Sequence, residues 1–141
     1  MTTPVPPTLN PQSVLVVDDY GDMRELYHQF LSMHGFHVVQ AADGREAVTM
    51  ARTAQPTAIV MDLEMPAMGG SEAVRTLKQD ERTKNIPILV LTGSSRESQL
   101  AEAWSAGCAA LLRKPCMPEV LLEAIQLVLR GEPVPLDLAL P

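Results

Sequence analysis

Basic residues, cysteines and long apolar runs are all scarce in this sequence. Eleven Lys and Arg residues face 17 Asp and Glu residues, and the net charge of -6 argues against direct binding to nucleic acid, which requires a basic surface. The two cysteines, Cys108 and Cys116, form neither a CxxC motif nor a metal-binding pattern, so we expect two reduced thiols. The apolar runs are too short to span a bilayer, and the Pro-rich start does not resemble a signal peptide. We therefore expect a soluble, cytoplasmic protein without a membrane partner.

Proline is concentrated at both ends of the chain, which indicates where the folded part lies. The length of 141 residues suits one domain with its own core. Residues 1–12 contain four prolines and are predicted to form a flexible leader, and residues 131–141 contain three and are predicted to form a tail. One domain is therefore expected over residues 13–130.

Short apolar runs and amphipathic segments alternate five times within this domain. The predicted strands cover residues 14–17, 36–40, 58–61, 88–91 and 109–112. Because most of these runs are continuously apolar, they favour a parallel sheet that is buried on both faces. Right-handed crossovers then give an α/β fold, a flavodoxin-like (βα)5 doubly wound parallel sheet with strand order 2-1-3-4-5.

The segments between the strands have the spacing of amphipathic helices. Apolar residues of the first helix recur at i, i+3, i+4, i+7 and i+8, namely Met23, Leu26, Tyr27, Phe30 and Leu31. Gly35 is predicted to end this helix. In the fourth helix, a capping box of Ser94 and Glu97 is expected at the start, with Leu100, Ala103 and Trp104 facing the core.

Polar residues follow the strands at the edge where such folds bind ligands. Asp18 and Asp19 follow the first strand, Asp62 the third, Thr92 the fourth and Lys114 the fifth. Three neighbouring carboxylates repel one another, and oxygen ligands without His or Cys favour Mg²⁺. A lysine and a hydroxyl beside them suit a phosphate group, so the pattern indicates metal-assisted phosphoryl transfer to a carboxylate.

Four segments together resemble the receiver domain of bacterial two-component response regulators, in a stand-alone, chemotaxis-regulator-like form. They are Val-Val-Asp-Asp at 16–19, the stretch from Val60 to Gly70, Leu-Thr-Gly at 91–93 and Lys-Pro at 114–115. The resemblance covers residues 13–130. It implies that Asp62 accepts the phosphoryl group, and that Mg²⁺ binds to Asp18, Asp19, Asp62 and the backbone carbonyl of Glu64.

The same resemblance implies roles for Thr92 and Lys114, and the chain departs from the family's usual residues at two positions. It implies that Thr92 moves to bond the phosphate, that Lys114 pairs with a phosphate oxygen, and that the bond between Lys114 and Pro115 is cis. This family usually has an aromatic residue where this chain has Leu111, and often Phe where it has Cys116. An aromatic switch is therefore not expected at Leu111.

The function expected from this resemblance is phosphorylation-dependent signalling. The donor would be a sensor histidine kinase or a histidine phosphotransfer protein, and the output would be contact with an unknown downstream protein or a further relay. The domain would assist its own phosphorylation and dephosphorylation without being an enzyme for a separate substrate. Apolar residues cover more than one face of the last helix. They indicate either a patch for a homodimer or a partner protein, on the face of the fourth and fifth helices, or extra burial against the sheet and the tail.

Three other functions fit parts of the pattern. A metal-dependent phosphatase of the haloacid dehalogenase type also uses an aspartyl nucleophile, but its second Asp is replaced here by Glu64. A nucleotide- or flavin-binding module would need a Gly-rich loop after the first strand, where the chain has Asp18, Asp19 and Tyr20 instead. A phosphorylation-independent adaptor is a third alternative, and the complete set of polar site residues argues against it.

Overall fold

The computed structural model describes residues 12–66 and 68–135, which form one five-stranded sheet with five helices. The strands are β1 (Ser13–Val17), β2 (His37–Ala41), β3 (Ala58–Asp62), β4 (Ile88–Thr92) and β5 (Ala110–Arg113). The helices are α1 (Gly21–Met33), α2 (Gly44–Ala54), α3 (Gly70–Gln79), α4 (Glu97–Ala106) and α5 (Pro118–Leu129). Most of the predicted leader and the last six residues of the predicted tail lie outside the described residues.

The strands are all parallel and have the order β2-β1-β3-β4-β5, which confirms the predicted α/β topology. Strand order reverses between β1 and β3, whose register pairs Val17 with Met61. Asp18 and Asp62, the next residues along each strand direction, therefore come together at the edge where the order reverses.

Each face of the sheet is covered by helices, and alternate strand residues point to the two sides. Leu15 and Val17 pack in a cluster with α2, α3 and α4. Val14 and Val16 pack in a second cluster with α1 and α5. Because β1 is buried on both faces, its sequence is continuously apolar until it reaches the edge of the sheet.

The ends of the first two helices follow from their sequences. After α1, Gly35 adopts a left-handed backbone with φ of 92°, and the amide of Phe36 donates to the carbonyl of Leu31, as expected for a glycine-terminated helix. At the start of α2, the Asp43 side chain accepts from the amide of Glu46, and the Glu46 side chain accepts from the amide of Ala42. The first bond caps the helix, and the second, from the residue before the N-cap, helps to fix the loop after β2.

Three details of the predicted helices are wrong. Leu26 and Trp104 are 46% and 43% exposed, because the buried sides of α1 and α4 are centred on Tyr27 and Ala103 instead. The expected capping box of α4 is also absent. Arg96 is the N-cap without a side-chain bond, and Ser94, whose hydroxyl accepts from the Arg96 amide, lies two residues before the N-cap.

The broad apolar surface of α5 is largely accounted for by packing. Leu121, Ala124 and Ile125 are fully buried, and Val120, Leu122, Val128 and Leu129 are partly buried against the same cluster. Val134 of the tail packs there too. Within the ranges that the structure describes, no helix combines the length and the apolar character needed to cross a membrane.

We predict that Gly70→Ala destabilises the fold at the functional edge of the sheet. A Cβ at Gly70 would lie 2.5 Å from the carbonyl oxygen of Asp62 and 2.7 Å from the Cα of Leu63, and these backbone atoms have little freedom to move. Forcing them apart is expected to lower the free energy of unfolding by about 2–3 kcal/mol, measured by urea denaturation.

Gly69→Ala is the matched control, because its Cβ would approach Leu63 no closer than 3.8 Å. It should change the free energy of unfolding by less than about 1 kcal/mol. Equal effects of the two substitutions would show that the close approach at Gly70 does not limit stability.

Candidate functional site

The predicted site residues lie where β1, β3, β4 and β5 end. Asp18, Asp62 and Thr92 are buried, whereas Asp19 is exposed and Lys114 is one-third exposed. Asp62 and Thr92 are the last residues of β3 and β4, so their positions are fixed by sheet pairing. Asp18, Asp19, Asp62 and Lys114 line one cavity of about 460 Å³, and Glu64 lines it with them.

The three predicted metal ligands form a compact cluster of oxygen atoms. One carboxylate oxygen from each of Asp18, Asp19 and Asp62 lies within 4.8 Å of the other two. The backbone amide of Tyr20 donates to Oδ1 of Asp18 at 2.9 Å and orients that carboxylate. Since the cluster offers oxygen atoms alone and concentrates negative charge, its chemistry fits a hard divalent cation such as Mg²⁺.

The carboxylate of Asp62 is the buried centre of the site. Lys114 Nζ lies 2.7 Å from its Oδ1, and the backbone amide of Glu64 donates to the same oxygen at 3.1 Å. Burial raises the pKa of Asp62 to about 6, against the lowering effect of Lys114 and with a further rise from the charge of Asp18. The side chain is therefore a partly desolvated carboxylate with a cation beside it.

The ammonium group of Lys114 is held in its charged form by the acids around it. Burial alone would lower its pKa, but the hydrogen bond and charge of Asp62, with the charges of Asp18 and Glu64, raise the pKa overall. Lys114 therefore supplies a fixed positive charge beside Asp62 in the cavity.

The hydroxyl of Thr92 is bonded to Glu64 across the ends of β3 and β4. Thr92 Oγ1 donates to Glu64 Oε2 at 2.5 Å and accepts from the amide of Ser94 at 2.9 Å. The amide of Gly93 donates to Glu64 Oε1 at 2.9 Å. Thr92 thus joins the other site residues through the side chain of Glu64, which the sequence suggested only as a backbone ligand.

Residues of the α1 region line the cavity beside the Lys114 loop. Tyr20, Met23 and Tyr27 line it together with Pro115 and Cys116. The buried hydroxyl of Tyr27 donates to the backbone carbonyl of Cys116 at 2.7 Å. Sequence reasoning placed Tyr27 only in the core. The peptide bond between Lys114 and Pro115 is cis, as the resemblance implied.

The comparisons with known proteins agree with this geometry. The family described as the response regulator receiver domain matches residues 14–126. Protein PilH of Pseudomonas aeruginosa is 33% identical over 118 residues, which are 84% of this chain and 98% of that protein. The chemotaxis protein CheY of the same organism is 34% identical, over 80% of this chain and 92% of its own length.

A solved structure is similar over the same region. The chemotaxis response regulator CheY4 of Vibrio cholerae superposes with a TM-score of 0.78 at 36% identity. The superposition covers 84% of this chain and 98% of the CheY4 chain. The sequence and the three-dimensional comparisons therefore identify the same domain.

We predict that the metal-free protein loses stability as the pH rises, because of Asp62. An unfolded Asp has a pKa near 3.8, and burial raises the folded value to about 6, so the folded chain holds this proton more tightly. The contribution to folding is therefore present below pH 4 and is lost as the pH rises through 6. In EDTA at pH 7.5, Asp62→Asn should raise the free energy of unfolding by about 1–3 kcal/mol.

The pH dependence separates this effect from a general change in packing. At pH 4 the gain from Asp62→Asn should nearly disappear, because the wild-type carboxyl is then protonated when folded. Urea denaturation of both proteins at the two pH values gives the comparison. The same gain at both values would contradict the raised pKa of Asp62.

Proposed function

Because this chain belongs to the response regulator receiver family, whose domains serve phosphorylation-dependent signalling, we propose that Asp62 accepts the phosphoryl group. The observation that carries this proposal is the buried Asp62 carboxylate, paired with Lys114 and adjoining the carboxylates of Asp18 and Asp19. The donor is a phosphohistidine of a sensor histidine kinase or of a histidine phosphotransfer protein. An Asp62 oxygen attacks phosphorus, and the bond from phosphorus to the donor nitrogen breaks.

The cofactor of this transfer is Mg²⁺. Asp18, Asp19, Asp62 and the backbone carbonyl of Glu64 would hold it. When bound, Mg²⁺ supplies positive charge that offsets the crowded carboxylates and the phosphoryl oxygens. The compact oxygen cluster supports this assignment.

Lys114 and Thr92 complete the site around the phosphoryl group. Lys114 pairs with one phosphoryl oxygen, and its position 2.7 Å from Asp62 supports that role. Thr92 donates its hydroxyl to another oxygen after it leaves Glu64. The rotation of Thr92 separates it from the amide of Ser94 and so changes the loop before α4.

The chain acts on itself and is not an enzyme for a separate substrate. It assists both its own phosphorylation and the later hydrolysis of the acyl phosphate at Asp62. Membership of the receiver family disfavours a general phosphatase and a phosphorylation-independent adaptor. Glu64, at the position where the phosphatase family has its second Asp, also argues against the former.

The output is contact with a downstream protein or transfer to a further relay protein. We place the chain in the cytoplasm, where kinases obtain ATP, and its two free, buried cysteines are compatible with a reducing compartment. The surface of α4 and α5, where Trp104 is exposed, is the face we propose for that contact or for a homodimer. Net acidity argues against nucleic acid as the direct target.

We predict that incubation with acetyl phosphate and Mg²⁺ adds the mass of one phosphoryl group. Intact-mass spectrometry should detect this addition in the wild type, and peptide mapping after borohydride reduction of the acyl phosphate should place it at Asp62. Asp62→Ala should remain unmodified, because it lacks the nucleophile. EDTA should prevent labelling, because the cation offsets the repulsion between the incoming phosphate and the carboxylates.

Asp80→Ala is a control for the loss of an acidic residue elsewhere. Asp80 binds Arg52 and Arg82 after α3, away from the cavity residues. This variant should still be labelled at Asp62. Labelling of Asp62→Ala to the wild-type extent would refute the assignment of the phosphoacceptor.

A further inference from the structure

The Glu64 side chain makes two hydrogen bonds that no role of its backbone requires. Its Oε2 accepts from the Thr92 hydroxyl at 2.5 Å, and its Oε1 accepts from the Gly93 amide at 2.9 Å. Both oxygens of one carboxylate are thus engaged by donors from the end of β4. Such paired, charge-assisted bonds hold an anion in a defined orientation.

These two donors lie beside the proposed phosphoacceptor. Asp62 is paired with Leu91 in the register of β3 and β4, and the amide of Leu63 donates to the carbonyl of Leu91 at 2.8 Å. Thr92 and Gly93 directly follow Leu91. Glu64 lines the same cavity as Asp62 and Lys114, and its charge acts on Lys114. The hydroxyl and amide therefore form a small anion-binding pair at the phosphoryl-transfer site, which Glu64 fills.

We propose that the Glu64 carboxylate is a built-in competitor of the phosphoryl group for the Thr92 hydroxyl and the Gly93 amide. It stabilises the unphosphorylated arrangement and must be displaced before those donors can bind phosphoryl oxygens. This inference rests on the proposed phosphorylation of Asp62. It adds that Glu64 slows that phosphorylation.

The charges and the exposure of Glu64 make this exchange physically reasonable. A phosphoryl group brings about two negative charges and three strong acceptor oxygens, which repel the Glu64 carboxylate and replace it as acceptors. Glu64 is exposed, so its carboxylate can be released into water without burial of an unpaired charge.

Removing the competitor should accelerate phosphoryl transfer. Donors that stabilise charge developing on the phosphoryl oxygens lower the barrier if they are available in the transition state. In the wild type, part of that stabilisation is offset by the lost bonds to Glu64. Glu64→Gln keeps the size of the side chain, removes its negative charge and leaves only one acceptor atom for two donors.

The experiment compares the wild type, Glu64→Gln and Glu72→Gln in two measurements. The first is the position of the Gly93 amide in ¹H–¹⁵N spectra without phosphodonor, which reports its bond to Glu64. The second is the initial rate of labelling by acetyl phosphate and Mg²⁺, followed by intact mass. Glu72 is an exposed acid at the start of α3, so Glu72→Gln removes a nearby charge while both bonds to Glu64 remain.

The proposal predicts that Glu64→Gln shifts the Gly93 amide and raises the labelling rate by about fivefold or more, as expected for a partly exposed, charge-assisted pair of bonds. Glu72→Gln should leave the amide in place and change the rate by less than about twofold. A damaged fold would slow labelling, so a faster rate distinguishes competition from a structural role.

Two results would overturn the proposal. If the wild type is labelled at Asp62 but Glu64→Gln is labelled no faster, Glu64 does not compete and the proposed function still holds. If the wild type is not labelled at all, the proposed function fails and the inference fails with it.

Discussion

Three carboxyl groups crowd one edge of the sheet beside the ammonium group of Lys114, and this imbalance of charge governs the rest of the site. Burial is the main reason that the pKa of Asp62 is raised to about 6; Lys114 at 2.7 Å offsets part of this rise, and the charge of Asp18 adds to it. A divalent cation would relieve the repulsion, and a phosphoryl group would then find positive charge on two sides. The excess of negative charge therefore favours the binding of a cation at this edge of the sheet.

The fold can keep these carboxyl groups close together because apolar packing, and not the polar site, stabilises the sheet. Alternate residues of β1, β3 and β4 are buried in two separate apolar clusters, one on each face. The polar groups begin only where the strands leave those clusters. Gly70 brings the start of α3 against the backbone of Asp62, and Tyr27 fixes the Lys114 loop from α1. The apolar layers thus hold polar side chains that would otherwise separate.

The order of the strands and the grouping of Asp18, Asp19, Asp62 and Lys114 could be predicted from the sequence. Each residue lies within two positions of the end of an apolar run, and parallel strands bring such positions to one edge. The bonds of Glu64 to Thr92 and Gly93 could not be predicted, because they depend on the rotamer of an exposed side chain and on the path of a loop. The exposure of Leu26 and Trp104 was also missed, since helical spacing defines a face but not how much of it neighbouring elements cover.

The binding of a cation at the predicted carboxylates tests the account most directly. Mn²⁺ has the same preference for oxygen ligands as Mg²⁺, and its unpaired electrons broaden nearby amide signals. Substoichiometric Mn²⁺ should broaden the amides around Asp18, Asp19 and Asp62 in the wild type, and excess Mg²⁺ should reverse the effect. Asp19→Asn should greatly weaken it. Broadening scattered over surface acids, or unchanged in Asp19→Asn, would contradict a cation site at this edge of the sheet.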